Sequence, residues 1–342
     1  VLDQHTINKI AAGEVIERPS AVVKELVENA IDANANAITV EIKSGGIDFI
    51  RVTDNGTGII EEDIPFMFLR HSTSKIKSAQ DLLTVSSLGF RGEALSSIAA
   101  VSQVELVTKT QDSLTGIRYQ TSGENEGKIE HIGCPNGTTF IIRNLFFNTP
   151  ARRKFLKSPI TEAGYISELL NRLASSHPNI SFKFINNKQI RLHTSGNGNL
   201  KDIIYNIYGR DVASNLIPID IKEEGITIEG FIAKPKISRG NRNYENYYLN
   251  GRYIKSSIIT KAIEDDYKPF TMLHRYPFTS LHLHMNTELV DVNVHPTKLE
   301  VRFESGNKVY EVVYNSIKNA LQKREHINQI ELTKKEKSSQ EK

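Results

Sequence analysis

The stretch that decides the fold is residues 18–58, RPSAVVKELVENAIDANANAITVEIKSGGIDFIRVTDNGTG. Its first part predicts a helix, because Pro19 suits the first helical turn, where its missing N–H is not needed. Two β-like runs follow at residues 37–43 and 49–53. They are joined by Gly45-Gly46, a glycine pair that supplies the positive φ angles of a tight turn. A helix followed by two strands is a typical beginning of an α+β domain.

The first helix carries two distinct faces. Its apolar face consists of Val22, Val23, Leu26, Ala30 and Ile31. Beside that face, Glu25, Asn29 and Asp32 line a polar stripe, because residues three and four apart are neighbours on a helix surface. A polar stripe most often faces water, so the stripe alone predicts no function.

Two glycine-rich segments favour a binding site over a solvated stripe. Asp54-Asn-Gly56-Thr-Gly58 follows the second strand, so an acidic acceptor precedes two glycines that let the backbone approach a flat ligand closely. Gly89-Phe-Arg-Gly92 precedes a helix-like stretch and offers backbone N–H groups to anionic oxygens. One glycine-rich turn is usually only a turn. The polar stripe of the first helix followed by these two glycine-rich segments, however, predicts a ligand site.

Polar segments divide the rest of the chain. Residues 72–88 are rich in Ser, Thr and Lys and poor in large apolar side chains, which predicts a mobile surface loop or lid. Residues 195–199 read Ser-Gly-Asn-Gly-Asn and predict a turn close to a domain border, which we place near residue 205. Beyond it, β-like and helix-like runs alternate, which predicts a second α/β unit.

We therefore expect a first domain over residues 1–205 and a second over residues 206–330. The last helix of the second domain presents apolar residues at helical spacing, namely Val309, Val313, Ile317 and Leu321. Residues 331–342 contain one large apolar residue, Leu332, among lysines, glutamates and serines, which predicts a linker. A linker at this position leads us to expect an N-terminal piece of a longer protein, although a disordered natural terminus would give the same pattern.

Composition excludes several classes of protein. A length of 342 residues corresponds to about two domains of ~150 residues each, and no run approaches the ~20 apolar residues of a membrane span. The single cysteine, Cys134, cannot form an internal disulfide, so we expect a reducing, cytoplasmic setting. The net charge of +3 neither requires nor forbids a nucleic-acid partner.

Three motifs of the chain resemble the nucleotide-binding motifs of the ATPase superfamily shared by gyrase B, Hsp90, histidine kinases and MutL. They are ELVENAIDA at residues 25–33, DNGTG at residues 54–58 and GFRGEAL at residues 89–95. Three further segments, and the particular form of GFRGEAL, are similar to the MutL mismatch-repair family. They are residues 10–19, 144–156 and 291–298. The resemblance implies a two-domain α+β protein, with a Bergerat-type ATPase α/β sandwich followed by a ribosomal-protein-S5-like α/β domain.

The resemblance also implies roles for single residues. Glu25 matches the base that activates the attacking water, and Asn29 matches the ligand of Mg²⁺. Asp54 matches the acceptor of the adenine amino group, with Gly56 and Gly58 in the same motif. Further residues match contacts to the phosphates or to the back of the adenine pocket, namely Lys75, Arg91, Gly92, Thr138 and Lys298.

As a function, the resemblance implies a Mg²⁺-dependent ATPase that hydrolyses ATP slowly and forms a homodimer when ATP binds. It implies coupling of a MutS-type mismatch-recognition protein to a downstream endonuclease or helicase. The sequence leaves open a gyrase-B-type topoisomerase subunit or an Hsp90-like clamp. A P-loop ATPase is excluded, because the chain has no Gly-x₄-Gly-Lys-Ser/Thr run.

A basic surface is predicted in the second domain. Arg239, Arg242 and Arg252 lie in a stretch where lysine and arginine outnumber aspartate and glutamate. Such a stretch suits sequence-independent contacts to DNA phosphates. A merely solvated surface is an equally good interpretation of any single member.

Overall fold

The computed structural model describes residues 15–69, 94–122, 127–291 and 299–339, with side chains up to residue 322. The chain divides into two compact units, residues 1–199 and 200–342. The predicted border near residue 205 falls inside the helix Leu200–Ala213. This helix belongs to the second unit because Leu200 and Ile204 pack into an apolar cluster formed by later residues of the chain.

The first unit is built on one eight-stranded sheet. Its strands are β1 Ala37–Lys43, β2 Phe49–Asp54, β3 Gln103–Lys109, β4 Gly116–Ser122, β5 Lys128–Ile132, β6 Gly137–Arg143, β7 Ser181–Asn186 and β8 Gln189–His193. They lie in the order β5-β4-β3-β6-β2-β1-β7-β8. Neighbouring strands are antiparallel, except that β1 and β7 are parallel. The mainly antiparallel sheet and its helices confirm the α+β class.

The helices of the unit are α1 Pro19–Asp32, α2 Ile64–Met67, α3 Ala94–Val101, α4 Pro150–Phe155 and α5 Pro159–Ser176. Helices α1, α3 and α5 pack against the sheet, whereas α4 has no buried residue. Helix α1 begins at Pro19, as predicted, and buries Val22, Val23 and Leu26. Strand β1 alternates buried and more exposed residues, because successive side chains of a strand point to opposite faces. The core of the unit therefore lies between the helices and one face of the sheet.

The predicted turn between β1 and β2 is confirmed. Gly45 and Gly46 have φ angles of 68° and 87°, which side chains with a Cβ rarely adopt. The structure adds a second reason for glycine. A Cβ added at Gly45 would lie 2.5 Å from the carbonyl oxygen of Pro159, so the turn also makes room for the start of α5.

The second unit contains a five-stranded mixed sheet. Its strands are β9 Leu216–Glu223, β10 Ile226–Ala233, β12 Glu245–Leu249, β13 Arg252–Ile254 and β15 Thr279–His284, in the order β13-β12-β15-β10-β9. Two short antiparallel pairs accompany it, β11 Ser238–Arg239 with β14 Tyr276–Pro277 and β16 Val290–Asp291 with β17 Arg302–Phe303. The helices are α6 Leu200–Ala213, α7 Ser257–Tyr267 and α8 Gly306–Ser339.

Helix α8 differs from the prediction at its end. The predicted apolar residues Val309, Val313, Ile317 and Leu321 are all buried. The helix then continues to Ser339, into the stretch that we predicted to be a linker. Lysine and glutamate favour helix even where they cannot form a core, so the shortage of apolar residues predicts weak packing but does not exclude helix. Among the described residues, no helix is both long and apolar enough to cross a membrane.

Candidate active site

The end of helix α1 is joined to the loop that follows strand β2. The Thr57 N–H donates to the Ala33 carbonyl oxygen at 3.0 Å. The Asn55 side-chain oxygen accepts the N–H groups of Asn36 and Ala37 at 3.0 and 2.9 Å. The end of helix α1 and the loop after β2, about twenty residues apart in the sequence, are therefore held together by these hydrogen bonds.

Asp54 lies at the end of β2, opposite Thr138 of β6. One of its carboxylate oxygens, Oδ1, accepts the Gly56 N–H at 2.8 Å. Burial raises the pKa of Asp54 above its ordinary value, and backbone hydrogen bonds from Gly56 and Thr138 reduce that rise. The loop thus presents a partly buried carboxyl group that can accept a further hydrogen bond from a ligand.

The glycines of the loop pack against the protein itself. A Cβ added at Gly56 would lie 2.7 Å from the Ala33 carbonyl oxygen, and one at Gly58 would lie 2.3 Å from the Lys109 carbonyl oxygen. Gly58 also has a φ angle of 75°. We interpreted these glycines as room for a flat ligand. In the structure, the side-chain position of each is already occupied by a neighbouring segment of backbone.

Thr108 connects the same loop to strand β6, and the sequence analysis missed it. Its Oγ1 accepts the Ile59 N–H at 2.9 Å and donates to the Gly137 carbonyl oxygen at 3.1 Å. It also lies 3.2 Å from the Thr138 hydroxyl. A threonine at the end of a strand has no distinguishing signal in a single sequence, because β-branched residues are common there.

Glu25 and Asn29 lie one turn apart on α1, both at partly exposed positions. The Glu25 side chain is 26% exposed and lies 3.4 Å from Lys24 Nζ, which pairs more closely with Glu28 at 2.8 Å. Burial lowers the pKa of Lys24, but the charges of Glu28 and Glu25 outweigh burial and raise it. Glu25 thus occupies a partly shielded position, with an oxygen atom accessible to solvent or ligand.

The structure brings together part of the predicted site. Asp54, Gly56 and Thr138 are in direct contact, and Gly56 lies against Ala33, one turn beyond Asn29. Four predicted residues, Lys75, Arg91, Gly92 and Lys298, lie outside the described residues. So does the predicted lid, residues 72–88.

A cavity of about 350 Å³ lies elsewhere in the first unit. Its lining includes Gln103, Glu105, Gln120 and Arg143. The cavity lies at the start of β3, and its nearest lining residue on that strand, Glu105, is three residues from Thr108, or roughly 10 Å at ~3.3 Å per residue. The cavity is therefore separate from the candidate site.

The three predicted DNA contacts differ in their surroundings. Arg239 is exposed, and its guanidinium lies 5.0 Å from the ring centre of Tyr244. Arg242 lies over Tyr276 at 4.3 Å and donates from Nη2 to Glu264 Oε2 at 3.1 Å. Arg252 is half-buried on β13. Because Glu264 neutralises Arg242, Arg239 is the better placed of these two to contact a phosphate.

Two family models match the chain. Residues 17–134 match the family described as histidine kinase-, DNA gyrase B- and HSP90-like ATPase. Residues 204–322 match the C-terminal domain of DNA mismatch repair proteins. The first match includes Glu25, Asn29 and Asp54, and the second includes the basic surface.

Similar whole proteins are found in bacteria. The DNA mismatch repair protein MutL of Agathobacter rectalis is 61% identical over 330 residues, which cover 96% of this chain and 51% of that protein. MutL of Caldanaerobacter subterraneus subsp. tengcongensis is 46% identical over 334 residues, which cover 98% of this chain and 57% of that protein. The chain spans about half the length of the curated relatives it matches.

Solved structures share the fold. The crystal structure of the N-terminal domain of a DNA repair protein has a TM-score of 0.78 and 26% identity, covering 93% of this chain and 98% of that one. The Aquifex aeolicus MutL ATPase domain in complex with ADP has a TM-score of 0.62 and 25% identity, covering 87% of this chain and 98% of that one. These similarities confirm the predicted fold class.

Proposed function

Because the chain belongs to the MutL family of DNA mismatch repair proteins and carries an ATPase domain, we propose that it binds ATP with Mg²⁺ and hydrolyses it slowly. The observation that carries this proposal is the contact of Asp54 with Gly56 and Thr138 beside the end of helix α1. The ADP complex of the similar Aquifex aeolicus domain supports a nucleotide as the ligand. The same relatives favour MutL over a gyrase-B-type subunit or an Hsp90-like clamp.

Asp54 selects the base. Its carboxylate accepts the amino hydrogen of adenine, while the Gly56 N–H keeps the carboxylate oriented. Guanine carries an oxygen where adenine carries the amino group, so guanine would bring two acceptors together and leave a buried polar group unpaired. The proposal therefore includes a preference for ATP over GTP, with Thr138 at the back of the adenine pocket.

Glu25 and Asn29 act at the phosphates. Glu25 accepts a proton from the attacking water, and Asn29 supplies one oxygen ligand to the metal. Among the described residues, no group of three or more His, Cys, Asp or Glu side chains could hold a metal ion. One amide oxygen suits Mg²⁺, which usually keeps several waters and takes phosphate oxygens as ligands. When bound, the ion neutralises phosphate charge.

The remaining predicted contacts complete the proposal. Lys75, Arg91 and Gly92 contact the phosphates, and Lys298 brings a positive charge from the second unit to the γ-phosphate. These contacts let ATP favour a homodimer, whose formation must in turn strengthen ATP binding. The proposed partners are DNA, held through phosphates at Arg239, Arg242 and Arg252, a MutS-type protein and a downstream endonuclease or helicase.

Nucleotide titration tests the proposal directly. Isothermal calorimetry with ADP, ATP and GTP in the presence of Mg²⁺ should give binding of the adenine nucleotides and much weaker binding of GTP. Binding of a nonhydrolysable ATP analogue should double the particle mass, which light scattering measures. Failure of ATP to bind would contradict the proposed activity. A particle that stays monomeric with its nucleotide site saturated would contradict only the dimer.

A further inference from the structure

An exposed apolar turn projects from the second unit. Met272 and Leu273 are 81% and 84% exposed, and Phe270 beside them is 46% exposed. Large apolar side chains with this exposure, next to one another, commonly mark an interaction site. The turn lies between α7 and β14, in the same unit as the basic surface.

The turn is rigidly built. The Arg275 N–H donates to the Met272 carbonyl oxygen at 3.1 Å, and His274 between them has a φ angle of 62°, as in a tight β-turn. On the side of α7, the Phe270 N–H and the Thr271 hydroxyl both donate to the Tyr267 carbonyl oxygen. Tyr267 is fully buried. The two apolar side chains are thus held outward from a fixed base.

Positive charge surrounds the turn. Lys268 and Arg275, on either side of it, are exposed. Tyr276 follows Arg275 directly, pairs with Arg239 across β11 and β14, and carries the guanidinium of Arg242 on its ring. Of these four basic side chains, Arg242 is the one with an ion pair among the described residues.

The acidic residues of the same region are less available. Glu264 is paired with Arg242, and Asp266 is buried. Asp265 accepts a hydrogen bond from the Tyr310 hydroxyl at 2.9 Å but is exposed and keeps its charge, against three exposed basic side chains, those of Arg239, Lys268 and Arg275. The exposed charge beside the apolar turn is therefore mainly positive. Such a surface is complementary to a polyanion rather than to an apolar groove of a protein.

We propose that Met272 and Leu273 form a wedge that inserts between adjacent base pairs of duplex DNA while the basic side chains around them hold the phosphates. The inference rests on the DNA binding proposed above. Apolar wedges of this kind unstack a base step and bend the duplex, which brings more phosphates to the protein. Tyr276, which pairs with Arg239 and carries the guanidinium of Arg242, directly follows the turn, so both arginines are available to hold the flanking strands.

The test separates the wedge from the charges. The variant M272S/L273S removes the apolar surface and keeps every charge, whereas R239E/R242E/R252E changes the charges and keeps the turn. L114S is the control for loss of an exposed apolar side chain, because Leu114 is 98% exposed and belongs to the first unit. All three variants and the parent are titrated into a short fluorescent duplex over a range of salt concentrations.

If the two side chains form a wedge, M272S/L273S should bind DNA about tenfold more weakly, because it no longer buries two apolar side chains. The loss is no larger because the variant also avoids the free energy needed to unstack a base step. The slope of log affinity against log salt counts phosphate contacts, so it should fall only by the contacts that the bend had added, and by less than in the arginine variant. A 2-aminopurine base in the duplex should brighten when the parent or L114S binds, and stay dark with M272S/L273S. The arginine variant should lower the salt slope.

The outcomes distinguish the two proposals. If the parent does not bind DNA, the proposed DNA binding fails and the wedge fails with it. If M272S/L273S binds as tightly as the parent and 2-aminopurine brightens equally, the wedge is wrong and DNA binding stands. If M272S/L273S loses only self-association or binding to anionic lipid vesicles, the turn serves another partner and the wedge is wrong.

Discussion

The hydroxyl oxygens of Thr108 and Thr138 lie 3.2 Å apart inside the first unit, at the ends of the neighbouring strands β3 and β6. Thr108 also accepts the N–H of Ile59, which follows the glycine loop after Asp54. One hydroxyl group therefore links the loop to the strand that carries Thr138. This link positions both sides of the proposed adenine pocket.

Replacing Thr108 by valine should loosen the pocket. Valine has nearly the shape of threonine, but it leaves the Ile59 N–H and the Gly137 carbonyl oxygen without this partner. We expect a loss of about 1–3 kcal/mol in the free energy of unfolding, together with weaker ADP binding. Urea denaturation and calorimetry measure the two effects. T108S keeps the hydroxyl and is the control, and equal stability of T108V and the parent would contradict the assignment.

Asp54→Asn should separate stability from binding. Asparagine can still accept the Gly56 N–H through its oxygen, but its NH₂ group would then face the adenine amino group, donor against donor. We expect ATP binding to be lost while the nucleotide-free protein becomes more stable at neutral pH. The free energy of unfolding increases because the variant no longer buries a charged carboxyl group.

The sign of the pH dependence follows from the raised pKa of Asp54. A carboxyl group with a raised pKa in the folded protein contributes stability below its ordinary pKa of 3.8, and that contribution is lost as pH rises through the folded value. The advantage of D54N should therefore be absent in strong acid and should grow with pH. Thermal unfolding of both proteins at several pH values measures it. An advantage that shrinks as pH rises would refute this account.

Local patterns predicted the parts of the site that are local in the chain. Pro19 marked the start of α1, and Gly45-Gly46 marked the hairpin turn, because each depends on the φ angles of one or two residues. Asp54 was found because it ends a strand and precedes glycines. The alternating pattern of β1 is likewise a property of consecutive residues.

Contacts between distant segments were not predictable. Thr108 is 49 residues from Ile59, and they meet only because β3 lies beside β6 and β6 beside β2. The Gly56 contact with Ala33 similarly depends on how α1 packs on the sheet. That helix α6 belongs to the second unit likewise depends on its apolar residues, which pack against residues that come later in the chain. Strand order and the packing of helices on the sheets decide these contacts, and a single sequence does not reveal either.

Glu25→Gln should abolish hydrolysis and preserve ATP binding. The amide cannot accept a proton from water but has nearly the same shape as the carboxylate. Asn29→Ala should lose binding as well, because it removes the proposed metal ligand. Turnover and nucleotide titration on each variant decide the matter. Glu28→Gln, three residues along the same helix and paired with Lys24, is the matched control and should retain turnover. Near-normal turnover in E25Q would remove Glu25 from the role of base.

Glu245 should make the stability of the protein depend on pH. It lies at the start of β12, 6% exposed, and its Oε2 accepts the Tyr247 hydroxyl hydrogen at 2.9 Å. Burial raises the pKa of Glu245 to about 7, against an ordinary value of 4.5, although the Tyr247 hydrogen bond and Arg242 act to lower it. Between pH 4.5 and about 7 the folded protein therefore keeps a proton on Glu245 that the unfolded chain has released.

Stability from Glu245 is thus fully present below pH 4.5 and is lost as pH rises through about 7. Glutamine cannot ionise and can still accept the Tyr247 hydrogen, so Glu245→Gln should match the parent in acid. Above pH 7 the free energy of unfolding of E245Q should exceed that of the parent by up to about 3 kcal/mol, at about 1.4 kcal/mol per pKa unit.

The measurement is unfolding of the whole chain from about pH 4 to about pH 9, a range that contains both pKa values of Glu245. Glu229→Gln, at an exposed carboxylate on strand β10 of the same sheet, shows what removal of a surface charge alone does. A difference between E245Q and the parent that stays constant over this range would mean that Glu245 has the same pKa in the folded and the unfolded chain, and would contradict a pKa raised by burial.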